Sequence, residues 1–155
     1  MMASVDLVEF DATLAVSVAG WPVSAQESVR WCGRADVTSE VVAGWGAAED
    51  VRVFTLMDAG EPVGYGELWL DEDEVELARL IVAPARRRQG VGRRLVEALT
   101  DIARQHAGLI FLRVHPDNAA ATRVYRAAGF EPVDAATAAE WNQRQPVTYT
   151  WLRLT

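Results

Sequence analysis

Five arginines, Arg86, Arg87, Arg88, Arg93 and Arg94, fall within nine positions around the glycine turn Gly90-Val91-Gly92. Residues of these types bind anions. Glycine lets backbone N–H groups approach closely, and guanidinium groups add charge-assisted hydrogen bonds. The turn follows an apolar run that stops at Pro84 and opens a stretch of helical periodicity. The free N–H groups of residues 87–93 and the positive end of a helix dipole would therefore serve one phosphate-like ligand. The segment is not a dinucleotide fingerprint, because Leu95 stands where a third glycine is needed. It is not a P-loop either, because no Gly-Lys-Ser/Thr follows. Taken alone, the pattern fits a phosphate cradle and a tight turn that merely requires glycine equally well.

Other reactive side chains are few. Tyr125 offers a phenol that is protonated at neutral pH and can donate a proton, or it is a tyrosine packed in the core. Asn118 precedes a helical run and is placed to cap it. Cys32 has no identifiable base partner and reads as a small, semi-buried residue. His106 suits the end of a helix, while His115, before Pro116, lies in a loop where it could relay protons. Two isolated histidines and one cysteine make no metal set, so no metal is expected.

The elements that must position these residues form one α/β domain over 1–155. The length of 155 residues suits one core, and half of them are apolar. Residues 1–48 read as helical: Asp11 caps a short helix, Ser24-Ala25-Gln26-Glu27 is a capping box, and Thr38 starts a third helix that ends near Gly46. Strands are expected at 51–56, 63–70 and 75–82, with the acidic run Asp71 to Glu74 as a solvated hairpin turn. A helix over 90–107 follows, with Val91, Leu95, Leu99 and Ile102 on one face. Then come a strand at 109–114, a helix at 118–128, and two last strands at 130–133 and 147–154, with 134–146 as loop. The order implies a mixed central sheet.

The net charge of −7 argues against nucleic acid as a partner and suits a cationic substrate such as an amine. No apolar run reaches the roughly 20 residues of a membrane span. Residues Met1 to Phe10 lack the basic and apolar regions of a signal peptide, and a single cysteine fits a reducing cytoplasm.

Two motifs in order carry a resemblance. Arg87-x-x-Gly90-x-Gly92, after a strand and a proline, is similar to the acetyl-CoA signature of the GNAT superfamily of N-acetyltransferases. Asn118, Ala121, Tyr125, Gly129 and Phe130 stand at the spacings of that family's second motif. The resemblance covers about residues 51–133. It implies a GNAT-like fold in which the parallel strands 75–82 and 109–114 splay apart. The pantetheine arm of acetyl-CoA would pair with the backbone of Leu80, Ile81 and Val82. Pyrophosphate would sit on Arg87, Arg88, Gln89, Gly90, Val91, Gly92 and Arg93, and Asn118 and Tyr125 would also contact the coenzyme.

The resemblance implies acetyl transfer from acetyl-CoA to a primary amine of a small molecule or peptide, without a covalent enzyme intermediate. Tyr125 is the candidate general acid. Glu76 is the candidate general base, because many family members carry a glutamate there; it otherwise reads as a solvated continuation of the acidic run. Glu67 on the preceding strand, or a water chain, is the fallback. Ribosomal-protein alanine acetyltransferases carry a glutamate five residues before the motif asparagine, and here that residue is Arg113. Trp21, Trp31 and Trp45 read as core anchors or as walls of an acceptor pocket, with Trp69 and Trp141 as further wall candidates in the second reading. A monomer or homodimer is expected. The alternative is a catalytically silent module that binds acyl-CoA as a regulator.

Overall fold

The computed structural model describes residues 5–155, and the first four residues of the expected helical part lie outside it. Among the described residues, seven strands form one sheet in the order β1-β2-β3-β4-β5-β7-β6. They are β1 (Val5–Glu9), β2 (Val51–Asp58), β3 (Glu61–Asp71), β4 (Glu74–Val82), β5 (Leu109–Val114), β6 (Phe130–Pro132) and β7 (Thr150–Leu154). The pair β4–β5 is parallel and its neighbours are antiparallel, so the sheet is mixed as expected.

Among the described residues, six α-helices connect the strands: α1 (Ala15–Ala19), α2 (Ala25–Cys32), α3 (Ser39–Gly44), α4 (Val91–Ala103), α5 (Ala119–Ala127) and α6 (Ala135–Asn142). The predicted starts hold. Asp11, Ser24, Thr38 and Asn118 each accept a backbone N–H two or three residues on, which satisfies a group the helix leaves open. Asp71 and Glu74 bound the expected acidic turn. Helix α4 ends at Ala103, short of the expected 107, because the next N–H groups tighten onto carbonyls three residues back.

Two expectations need correction. The N-terminal part is not wholly helical, because Val5–Glu9 pairs antiparallel with β2. Val5 and Leu7 face the core while Asp6 and Val8 face solvent, the alternation of an edge strand. Residues 134–146 are not all loop, because Asp134 caps α6, with its carboxylate accepting the Thr137 N–H. Trp141 and Asn142 thus end a helix.

The sheet separates two cores. On one face, α4 and α5 cover Leu68, Val75, Leu77, Ile110 and Leu112. Leu95 and Leu99 of α4 are fully buried there, each worth about 2 kcal/mol. Gly66 permits this close packing, since a Cβ there would lie 2.7 Å from a Leu99 methyl. On the other face, α1 and α3 pack with Trp21, Tyr65 and Ile81. Strand β5 alternates between the two: Ile110, Leu112 and Val114 are buried among the first core, and Phe111 and Arg113 turn to the other side.

Candidate active site

Strands β4 and β5 pair only at Glu74–Leu109, Val75–Ile110 and Glu76–Phe111. Beyond this they separate, so residues 77–82 present a backbone edge with no strand partner towards β5. The edge includes Leu80, Ile81 and Val82, the residues expected to pair with pantetheine. A bulge lies just before them: Arg79 and Leu80 oppose the single residue Gly66, and Arg79 takes a left-handed φ of 51°. The Arg79 carbonyl accepts the Trp31 indole N–H at 2.7 Å, and the Val82 carbonyl accepts Arg87 Nε at 3.1 Å.

The glycine turn ends this edge. Arg88 and Gly90 both have left-handed backbone, with φ of 63° and 81°. A left-handed residue beside one of negative φ aims neighbouring N–H groups into a concavity that suits an anion. Gly90 is the N-cap of α4, and no side chain caps the helix there, whereas α2, α3, α5 and α6 all carry side-chain caps. A Cβ on Gly90 would meet nothing within 4 Å, so the cradle is open. Helix α5 closes in beside it, with Val124 and Val82 both within 3.7 Å of where a Gly92 Cβ would stand. An uncapped helix, a left-handed nest and an unpaired strand edge together fit the pyrophosphate and pantetheine of a coenzyme A.

The arginines divide into two groups. Arg88, Arg93 and Arg94 are exposed, and Arg93 lies 3.8 Å from Glu97. Arg87 instead turns inward. Its guanidinium forks onto both oxygens of Glu27 at 2.7 and 3.0 Å and reaches the Trp21 carbonyl. Arg86 pairs with Asp58. The side chains of Arg86 and Arg87 therefore brace the turn, and the Arg87 N–H bonds the Pro84 carbonyl at 3.4 Å. The capping box at Ser24 was readable in the sequence; its tie to Arg87, sixty residues away, was not.

Tyr125 lies on α5, half buried and edge-on to Phe130. Burial alone pushes its phenol up to about 12, with no charged neighbour contributing. Asn118 caps α5 through Oδ1 and keeps its amide nitrogen free of that bond.

The candidate bases lie on the opposite face of the sheet from α4. Glu76 is buried at the point where β4 and β5 part, and it lines a cavity of about 510 Å³ with Trp69 and Phe111. Asp50, Asp71, Glu72 and Glu74 rim the same cavity. Both Glu76 oxygens accept from Arg113, at 2.7 and 2.9 Å. Burial opposes the charge on Arg113, but the hydrogen bonds and charge of Glu76 outweigh it and hold the guanidinium above its usual pKa. Glu67 is more enclosed still. It accepts the Tyr65 hydroxyl at 2.6 Å, the Trp69 indole at 2.8 Å and Arg79 Nη1 at 3.0 Å. Burial, then the charge and hydrogen bond of Glu67, push the Tyr65 phenol far up, with Arg79 opposing.

Of the tryptophans, Trp21, Trp31 and Trp45 belong to the core on this face, and Trp69 lines the cavity. Trp31 and Trp45 pack on Tyr65, and Trp45 also stacks on Arg79. Trp141 stacks on Phe111 and Trp151 over the far side of the face. Asn142 fixes the chain that follows: it bonds the Tyr149 N–H and carbonyl and the Trp151 indole. Arg79 was not foreseen as a site residue. Its signal was an arginine inside an otherwise apolar strand, Leu77-Ala78-Arg79-Leu80. Cys32 is half buried and bonds the Ser28 carbonyl at 3.4 Å. His115 Nδ1 accepts the Asp117 N–H at 3.2 Å.

A stretch of 60 residues is 43% identical to the N-alpha-acetyltransferase RimI of Mycobacterium tuberculosis, covering 39% of this chain and 37% of that protein. Another of 76 residues is 41% identical to the mycothiol acetyltransferase of Rhodococcus erythropolis, covering 46% of this chain and 24% of that one. The chain thus matches well under half the length of these curated relatives. The fold is shared with AAC(6')-Ib solved with ribostamycin and coenzyme A, at a TM-score of 0.77 and 22% identity over 98% of this chain and 93% of that one. Residues 17–130, most of the sequence, match the model of the acetyltransferase (GNAT) family, and the splayed strands and glycine turn described above lie within that match: the chain belongs to this family.

Proposed function

We propose that the protein transfers the acetyl group of acetyl-CoA directly to a primary amine of a small molecule or peptide. The observation that carries this reading is the continuity of the open β4 edge with the uncapped, left-handed turn at Gly90. A bound thioester supplies an activated acetyl carbon. Leu80, Ile81 and Val82 hold the pantetheine arm by their backbone. The N–H groups from Arg88 to Arg93 hold the pyrophosphate, with Arg88 adding charge.

An amine of pKa about 10.4 must lose a proton before it attacks. Glu76 takes that proton through water. Arg113 engages two of the acceptor positions on its carboxylate and leaves the remaining lone pairs for the cavity. As the C–N bond forms and the C–S bond breaks, the Tyr125 hydroxyl donates a hydrogen bond to the departing sulfur. Its raised pKa keeps the phenol protonated for that task. Glu67, sealed by three donors, is left to structure.

Incubation with acetyl-CoA and a pooled library of amines tests the reading by thiol release. Release that depends on one or more amines is expected. Tight acetyl-CoA binding with no release from any amine would make the chain a silent acyl-CoA-binding module instead.

A further inference from the structure

Arg79 and Arg113 stand on the two strands that separate, and both turn to the face away from α4. One indole, Trp69, lies between them: the Arg79 guanidinium is 5.1 Å from its ring and that of Arg113 is 5.8 Å. Each guanidinium has a second aromatic support, Trp45 at 4.2 Å for Arg79 and Trp151 at 4.7 Å for Arg113. Each is also fixed by a carboxylate, Glu67 at 3.0 Å and Glu76 at 2.7 Å.

The burial is layered. The Glu67 and Glu76 side chains are 0% and 8% exposed, while Arg79 and Arg113 are 24% and 27% exposed. The guanidinium groups are the more accessible members of both pairs, and Trp69 and Glu76 connect them to the cavity. Donors remain for that visitor: Arg79 uses one of its five N–H groups on the protein and Arg113 three of its five. Neither residue's nitrogens are among the buried unsatisfied atoms. Stacked, ion-paired arginines lose little side-chain freedom when they bind, and a planar fork matches a carboxylate.

We propose that Arg79 and Arg113 form a receptor for a carboxylate carried by the acceptor, so that the protein acetylates zwitterionic amines of the amino-acid or peptide kind. This rests on the acetyl transfer proposed above and narrows its substrate. The acidic rim of the cavity beside them, formed by Asp50, Asp71, Glu72 and Glu74 and joined to the arginines through Trp69 and Glu76, completes the selection. It repels simple anions and draws the ammonium end of a zwitterion, while the arginines take the other end.

The test compares matched acceptors with the full chain and acetyl-CoA: alanine, lysine and a dialanine peptide as free acids, each against its carboxamide, with cadaverine as the decarboxylated partner of lysine. The free acids should give kcat/KM values at least about tenfold above their amides, as hydrogen bonds between charged groups imply. Lysine should exceed cadaverine by a similar factor. In Arg113→Lys, which keeps charge and loses the fork, the acid-to-amide ratio should fall several-fold. Amides or cadaverine used as well as the acids, or a ratio untouched in Arg113→Lys, would overturn the receptor while leaving acetyl transfer standing. If no amine is acetylated, the proposed reaction fails. The receptor is then read from tryptophan fluorescence on titration with lysine and lysinamide in the presence of coenzyme A. Preference for lysine there supports the receptor, and equal or absent response refutes it.

Discussion

The Glu67–Arg79 pair can be taken apart one charge at a time. Glu67→Leu strands three donors: the Tyr65 hydroxyl, the Trp69 indole and the Arg79 guanidinium. Breaking a buried ion pair from one side costs about 3–5 kcal/mol. Arg79 is partly exposed and recovers some hydration, which places the expected loss near the lower end, about 3 kcal/mol. Arg79→Met leaves the carboxylate with two donors and no positive partner, for a loss of about 2–3 kcal/mol. The double variant removes both charges and sets an apolar side chain between Trp45 and Trp69, so its loss should fall short of the sum by about 2 kcal/mol. Urea unfolding followed by far-ultraviolet circular dichroism reads all three, provided the m-value holds constant. Strict additivity, to within about 0.5 kcal/mol, would refute the view that the pair is a coupled buried unit. A Glu67→Leu loss below about 1 kcal/mol would do the same.

Further outcomes are expected. Tyr125→Phe should lower kcat with little change in acetyl-CoA affinity; unchanged turnover removes the phenol from the chemistry. Gly90→Val should weaken coenzyme A binding at least about tenfold, since a branched side chain strains a left-handed residue and fills the open cradle; calorimetry showing normal affinity would relocate the phosphate site. The Tyr125 phenol titrates near 10 when unfolded and at about 12 when folded. Its contribution to stability is therefore complete below pH 10 and disappears as pH rises through 12. Tyrosinate absorbance of the folded chain should show Tyr125 ionising only in that upper range, and an earlier ionisation would contradict its burial.

Much of this architecture was written in local signals. Caps at Ser24, Thr38 and Asn118 and the apolar stripe of α4 depend on neighbours within one or two turns, and the structure keeps them. The glycine turn was equally local, and the left-handed Gly90 follows from its composition, whereas the left-handed Arg88 does not. What escaped depends on distance along the chain. Strand β1 is five residues long and gains its place only by pairing with β2. Helix α6 is held by Asn142 through contacts with β7. Arg87 looked like a phosphate ligand because its charge is visible in sequence and its partner Glu27 is not. Glu76 was legible as a candidate and Arg113 as a departure. That the two form a pair required knowing where the parallel strands stop pairing.

The sheet also partitions the consequences of mutation. Every residue that holds the fold against α4 and α5 points to one side of β4 and β5, and the charged and indole groups that would read an acceptor point to the other. A substitution at Ile110 or Leu112 disturbs packing, whereas one at Phe111 or Arg113, a single position away, would alter the surroundings of the proposed acceptor. The face proposed to receive an acceptor draws on α2, β3, β4, β5, α6 and β7, pieces scattered along the chain. On the proposed reading, selectivity would therefore drift by single changes in any of them while the opposite side of the sheet keeps its packing.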